Sequence, residues 1–138
     1  MSDGRGEDER PTVLVVDDYE SLRTLLKNML TTLGCRVVEA SDGAEAVEAA
    51  RRERPGLILM DLVMPSLDGF GAVQRIRRQA GLQGVVIVAM SGHESADVRA
   101  DALEAGCQDF LNKPVAYERL KEVLGKFLPG RKPEEFDR

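Results

Sequence analysis

Several features that define other classes of protein are missing from this 138-residue chain. Its two cysteines, Cys35 and Cys107, stand far apart and outside any CxxC pattern. They indicate neither a disulfide framework nor a metal site, and favour two small core residues in a reducing compartment. No apolar run approaches the ~18 residues that a membrane helix needs, and the polar first ten residues do not resemble a signal peptide. We therefore expect a cytoplasmic protein with no membrane insertion.

An excess of positive charge is also missing. The net charge of −5 argues against nonspecific nucleic-acid binding, which needs a basic face. With 43% hydrophobic and 31% charged residues, the composition is that of a globular protein, and the length fits one domain. The charge-rich ends, 1–11 and 129–138, are predicted to be flexible polar tails around a single domain at 12–128.

Strand and helix signals alternate five times between these tails. The continuous apolar runs VLVV, LILM and VVIVAM are typical of buried parallel strands. The strands are predicted at 13–16, 36–40, 57–60, 85–90 and 110–112. The helices are predicted at about 22–33, 42–52, 68–79, 98–105 and 117–128. Repeated strand–helix units predict an α/β fold, with a parallel sheet and helices on both of its faces.

Polar side chains follow the apolar runs at four of the predicted strand ends. Asp17 and Asp18 follow VLVV, and Asp61 follows LILM; Ser91 follows VVIVAM, and Lys113 lies within FLNKP. The carboxyl ends of the strands are where open parallel sheets bind ligands. Three carboxylates held together favour a divalent cation, and an ammonium beside them favours an anion. A metal ion together with a phosphoryl group satisfies both.

These residues, in this order and together with MPSLDG at 64–69 and the Lys113-Pro114 pair, resemble the receiver domain of two-component response regulators. The resemblance covers residue 12 to about residue 128. It implies a flavodoxin-like, five-stranded parallel sheet in the order 2-1-3-4-5, which sets strands one and three side by side. The strand order comes from the resemblance and not from the residue pattern.

The resemblance also implies a role for each polar residue. Asp61 is expected to be the phosphoacceptor. Mg²⁺ is expected to bind Asp17, Asp18, Asp61 and the backbone carbonyl of Val63, since this ion takes oxygen ligands. Lys113 is expected to contact the phosphoryl group as a compact point charge. Asp18 could also cap the first helix.

The remaining implied roles concern the response to phosphorylation. Ser91 is expected to be a switch hydroxyl, and Phe110 a switch aromatic whose ring moves from a partly exposed to a buried position. The Lys113-Pro114 peptide bond is expected to be cis, with Pro114 as the cis-proline. The output is expected through the face formed by helix four, strand five and helix five.

Together these expectations predict a single-domain response regulator, a phosphoacceptor signalling domain and not an enzyme. Its partners would be a sensor histidine kinase or histidine phosphotransfer protein and a downstream protein, and it would be a monomer or weak dimer. The chain could instead be the receiver segment of a larger regulator or hybrid kinase, or an interaction module that works without phosphorylation. A flavodoxin-like cofactor carrier is disfavoured because DDYES, and not a small polar loop, follows strand one. An aspartyl phosphatase would need DxD there.

Two residues flanking the expected site bear on the lifetime of the phosphorylated state. Val63 is apolar and cannot align an attacking water, which predicts slow loss of phosphate. His93, the only histidine, would make that loss depend on pH near neutrality. A Ser91–His93 catalytic pair is disfavoured because no G-x-S-x-G turn surrounds the serine.

Overall fold

The computed structural model describes residues 10–64, 69–92 and 96–128. In these ranges five strands and five helices alternate, and each predicted element is confirmed with ends within two residues of the expected ones. The elements are β1 (Thr12–Val16), α1 (Glu20–Thr32), β2 (Arg36–Ala40), α2 (Gly43–Glu53), β3 (Leu57–Asp61), α3 (Gly69–Arg78), β4 (Val86–Ser91), α4 (Ala96–Ala105), β5 (Asp109–Asn112) and α5 (Tyr117–Phe127).

The strands form one parallel sheet in the order β2-β1-β3-β4-β5, which confirms the expected order and the flavodoxin-like receiver fold. Val16 at the end of β1 pairs with Ala40 on one side and Met60 on the other. On the far side of β3, Asp61 pairs with Met90. This register brings the carboxyl ends of β1, β3 and β4 to one edge of the sheet.

Helices cover both faces of the sheet, and each face has its own core. Alternate residues of a strand point to opposite faces, so Val13 and Val15 contribute to one core, and Leu14 and Val16 to the other. The first core contains side chains from α1 and α5, and the second contains side chains from α2, α3 and α4. Burial on both faces explains the continuous apolar runs of β1 and β3.

The helix ends follow the expected signals in most places. Asp42 caps α2 by accepting a hydrogen bond from the Glu45 backbone at 2.8 Å, and Glu45 in turn accepts from the Ser41 backbone at 2.6 Å. Gly34 and Gly106 adopt positive φ after α1 and α4, as helix-terminating glycines do. Among the residues described, no helix is both long enough and apolar enough to cross a bilayer.

The apolar residues of α1 are not all buried. Leu25, Leu26 and Leu30 recur at helical spacing, but half of the Leu25 surface is exposed, whereas Leu26 and Leu30 are buried against the sheet. The apolar residues of this helix span a wider arc than the sheet covers, so its edge is left open. Cys35 and Cys107 are both buried, as expected for core residues.

Candidate functional site

Three carboxylates meet at the carboxyl edge of the sheet, where the sequence predicted them. Oxygen atoms of Asp17, Asp18 and Asp61 all lie within 4.8 Å of one another. Asp17 and Asp61 are buried and Asp18 is partly exposed. The neighbouring positions of β1 and β3 cause this approach, and the Asp17 backbone continues the ladder by donating to the Ala40 carbonyl at 3.2 Å.

Lys113 reaches the same carboxylates from the end of β5. Its Nζ lies 2.6 Å from Asp17 Oδ2 and 3.2 Å from Asp61 Oδ2. The Lys113 backbone donates to the Ser91 carbonyl at 2.9 Å, and the peptide bond to Pro114 is cis, as predicted. Burial acts to lower the pKa of Lys113, but the hydrogen bond to Asp17 and the charges of Asp61 and Asp17 outweigh it and raise that pKa. The ammonium is therefore charged at neutral pH.

Asp61 occupies an environment that disfavours its own negative charge. Its Oδ1 accepts a hydrogen bond from the Val63 backbone at 3.0 Å. Burial raises the pKa of this carboxyl, and the nearby charge of Asp17 raises it further; the Val63 hydrogen bond and Lys113 compensate only in part. An ionised Asp61 is therefore stabilised by any additional cation that enters the site.

The turn from β1 into α1 is held by several hydrogen bonds. Asp17 Oδ1 accepts from the Tyr19 backbone at 2.9 Å, and the Asp17 carbonyl accepts from the guanidinium of Arg23 at 2.8 Å. The Nε of Arg23 also donates to Glu39 on β2 at 3.2 Å. Tyr19 occupies the N-cap position of α1 without a side-chain cap. The expectation that Asp18 caps this helix is therefore wrong, because the N-cap position falls one residue later, at Tyr19. The Asp17 carboxylate accepts the hydrogen bond from the Tyr19 backbone.

Two residues with close contacts to this site were given no role from the sequence. Arg23 lies three residues before Leu26 and seven before Leu30, so it shares the buried face of α1, a spacing that could have singled it out. Gly69 begins α3 directly against the backbone of Asp61. A Cβ at this position would lie 2.2 Å from the Asp61 carbonyl oxygen.

The proposed switch residues are both buried. Ser91 is 1% exposed at the end of β4, and Phe110 is 4% exposed on β5. The guanidinium of Arg99 on α4 lies 5.6 Å from the centre of the Phe110 ring. The ring is therefore already in the buried position, and the partly exposed position expected for one state is not the one that this structure records.

The flanking residues are only partly described. Val63 is 61% exposed, whereas His93 and residues 65–68 lie outside the described residues. An open cleft of about 430 Å³ lies over the carboxylates and is lined by Asp18, Tyr19, Asp61, Val63, Met64, Gly92 and Lys113. The cleft gives a ligand in solution access to Asp61.

Comparison with known families agrees with this geometry. The family model for the response regulator receiver domain matches residues 13–125. The chain belongs to this family. Receiver domains are signalling domains and not enzymes of the classical kind.

Two curated relatives show how this receiver domain compares with others. Chemotaxis protein CheY of Bacillus subtilis is 35% identical over 117 residues, which cover 84% of this chain and 96% of CheY. The probable transcriptional regulator ycf27 of Porphyridium aerugineum is 34% identical over 120 residues, which cover 87% of this chain and 49% of that protein. The chain spans about half the length of the ycf27 relatives that it matches.

One similar solved structure contains a bound magnesium ion. The receiver domain of sensor histidine kinase PA1611 from Pseudomonas aeruginosa has a magnesium ion coordinated in its active site cleft. It superimposes with a TM-score of 0.80 and 36% identity, covering 86% of this chain and 97% of that one. Receiver domains bind Mg²⁺ in an acidic pocket, and the cluster of Asp17, Asp18 and Asp61 supplies the hard oxygen donors that this ion prefers.

Proposed function

We propose that this receiver domain accepts a phosphoryl group on Asp61 from a phosphohistidine of a sensor histidine kinase or histidine phosphotransfer protein. The observation that carries the proposal is the approach to Asp61 of Asp17 and Asp18 from the end of β1 and of Lys113 from the end of β5. A surface-exposed aspartate would have no need of such neighbours. Here they surround a carboxylate that is buried yet open to a cleft.

The same residues fit a bound Mg²⁺. Asp17, Asp18 and Asp61 would hold it through carboxylate oxygens, and the Val63 carbonyl is the expected fourth protein ligand. When bound, the ion neutralises charge on the incoming phosphoryl oxygens, which three carboxylates would otherwise repel. The charge of these side chains supports this role, because Lys113 is one cation among three anions.

Transfer requires little covalent chemistry from the protein. A carboxylate oxygen of Asp61 attacks phosphorus, a phosphorus–oxygen bond forms, and the phosphorus–nitrogen bond of the donor breaks with its electron pair going to the imidazole. Positioning and charge stabilisation are the main contributions in phosphoryl transfer. Lys113 lies 3.2 Å from Asp61 and can follow the phosphoryl oxygens as negative charge develops on them.

The signal is proposed to leave through Ser91 and Phe110. The Ser91 hydroxyl can donate to a phosphoryl oxygen on Asp61, which pairs across β3 and β4 with Met90, the residue before Ser91. A movement of Ser91 would change the packing of Phe110 on the next strand and reshape the face of α4, β5 and α5. The two states must differ in their interaction with the phosphoryl group for the equilibrium to shift.

We also propose two arrangements in which this receiver domain could work. The match over nearly all of CheY favours a receiver that acts alone through protein contacts, as a monomer or weak dimer in the cytoplasm. The half-length match to ycf27 and the likeness to a histidine-kinase receiver fit a receiver segment of a longer regulator or hybrid kinase. Both arrangements use the same chemistry at Asp61.

A phosphorylation assay with a small donor tests the acceptor directly. The protein is incubated with acetyl phosphate and MgCl₂, and intact-mass spectrometry detects the phosphoryl adduct. We expect the unchanged protein to form the adduct and Asp61→Asn to form none, because an amide oxygen is too weak a nucleophile. Asp101→Asn, an exposed aspartate on α4 outside the cleft, is the matched control and should label normally.

Two outcomes would contradict the proposal. Undiminished labelling of Asp61→Asn would show that another group is the acceptor. Absence of labelling in the unchanged protein, with both acetyl phosphate and a cognate phosphodonor protein, would favour the interaction module that works without phosphorylation. Pull-down with the phosphorylated and unphosphorylated protein would then distinguish partners that depend on the switch from partners that do not.

A further inference from the structure

Arg23 is the side chain that ties the acidic turn to the rest of the sheet. It projects from the first turns of α1 and is largely buried, with 15% of its side chain exposed. One guanidinium nitrogen donates to the Asp17 carbonyl at 2.8 Å, and Nε donates to Glu39 at 3.2 Å. The planar guanidinium of Arg23 therefore connects the β1–α1 turn, the helix α1 and the edge strand β2.

The bonded carbonyl is the one that controls Asp18. The Asp17 carbonyl belongs to the peptide unit that links Asp17 to Asp18, and this unit is planar. Fixing its oxygen fixes the plane and with it the direction in which the Asp18 main chain continues. The Asp17 carboxylate is already held through Tyr19 and Lys113. Asp18 is partly exposed, and the Arg23 bond constrains the peptide unit leading to it.

The charge of Arg23 acts against a cation in the pocket. A guanidinium beside the Asp17 carbonyl repels a divalent ion, and Glu39 offsets this charge only in part, because Lys27 also lies 3.6 Å from Glu39. Electrostatics alone therefore predicts that loss of Arg23 would tighten Mg²⁺ binding. Geometry predicts the opposite, because a free Asp17–Asp18 peptide would have to be ordered again when the ion binds.

We propose that Arg23 is a positioning residue, which orients the Asp17–Asp18 peptide so that Asp18 faces the divalent-cation site. The proposal rests on the proposed function, in which Asp17, Asp18 and Asp61 hold Mg²⁺. The geometric effect outweighs the repulsion because the guanidinium bonds the backbone directly, whereas Glu39 offsets part of its charge. Groups that orient metal ligands typically change metal affinity by about 10- to 100-fold when removed.

The test measures magnesium affinity through stability. The 138-residue protein and its variants are unfolded with urea at increasing MgCl₂, and the rise in unfolding free energy at each concentration gives the Kd of the folded form. This rise does not depend on the starting stability of a variant, so a purely structural role of Arg23 would not change it. We expect Arg23→Met to raise the Kd about tenfold, and Arg23→Lys to fall between Arg23→Met and the unchanged protein.

Arg36→Met provides the matched control. Arg36 is the first residue of β2 and, like Arg23, pairs with an acid, in this case Glu53 at 2.9 Å. It lies at the opposite end of β2 from Ala40, about 13 Å along the strand. Its removal takes away the same charge and a similar ion pair without touching the acidic turn, so the magnesium Kd should stay unchanged.

The possible outcomes separate the two proposals. Magnesium binding by the unchanged protein with an equal or tighter Kd in Arg23→Met would overturn the role of Arg23 and leave the metal site in place. An equal loss of affinity in Arg36→Met would also overturn it, since that would indicate a general effect. No stabilisation of the unchanged protein by MgCl₂ would overturn both the proposed metal site and the positioning role.

Discussion

A single methyl group at Gly69 should disturb the phosphoacceptor strand more than most surface substitutions do. Gly69 begins α3 and packs onto the end of β3. A Cβ there would lie 2.2 Å from the Asp61 carbonyl oxygen, 2.6 Å from the Leu62 Cα and 2.9 Å from the Asp61 carbonyl carbon. All three are backbone atoms, so no side chain can rotate away to make room.

The size of the effect follows from these distances. Ordinary contacts of a Cβ begin at 3.4 Å, so α3 and the end of β3 must separate by about 1 Å. Overpacking of this kind typically costs about 1–3 kcal/mol, and the backbone contacts place Gly69→Ala at the upper end, about 3 kcal/mol. The shift also moves Asp61, and a displacement of about 1 Å can reduce a positioned reaction by about 100-fold.

Urea denaturation and labelling with acetyl phosphate measure both consequences. Gly84→Ala is the matched control: Gly84 lies in the loop between α3 and β4, and a Cβ there meets nothing within 4 Å. We expect it to be neutral or slightly stabilising, because alanine reduces the entropy of the unfolded chain. If Gly69→Ala were as stable as Gly84→Ala and labelled at the normal rate, the close packing of α3 onto Asp61 would not constrain the site.

Two further predictions concern charge and water at Asp61. Because burial raises its pKa above the ordinary 3.8, ionisation of Asp61 costs folding free energy, and this cost appears as the pH rises from about 4 through the raised pKa. In EDTA, the unfolding free energy of Asp61→Asn should therefore equal that of the unchanged protein near pH 4 and exceed it by about 1 kcal/mol at pH 7. Urea denaturation at the two pH values measures this difference. Equal unfolding free energies at both pH values would contradict the prediction. Val63 lies at a 61% exposed position of the cleft. Val63→Asn should speed loss of the phosphoryl group roughly threefold or more, because the amide can align an attacking water. The decay of the phosphorylated protein measures this loss, and a decay no faster than that of the unchanged protein would contradict the prediction.

The strands and the acidic cluster could be predicted because short local sequence patterns indicate them. The runs VLVV and LILM are apolar at every position, which only a strand covered on both faces requires, and each run ends at an aspartate. Parallel strands bring such ends to one edge without any further information. The strand order that sets β1 beside β3 is a tertiary property, and it came from the family resemblance and not from the residue pattern.

The supporting contacts could not be predicted in the same way. The bond from Arg23 to the Asp17 carbonyl depends on how α1 crosses β1 and β2; the spacing from Leu26 and Leu30 gives the helix face of Arg23 but not the atom that it bonds. The role of Gly69 depends on the distance between two backbones. The contact of the Phe110 ring with Arg99 of α4 likewise depends on tertiary packing, which propensity does not encode.

The charges at the site connect its resting state to its proposed output. Asp17, Asp18, Asp61 and Lys113 together carry three negative charges and one positive, a net of −2, which one bound Mg²⁺ would neutralise. An acyl phosphate carries about −1.5 to −2 where the carboxylate of Asp61 carried −1. Phosphorylation would therefore add up to about one uncompensated negative charge at a buried strand end. Ser91 lies at the adjoining strand end and is buried with Asp61, so the proposed movement of Ser91 would bring a hydroxyl donor to that charge.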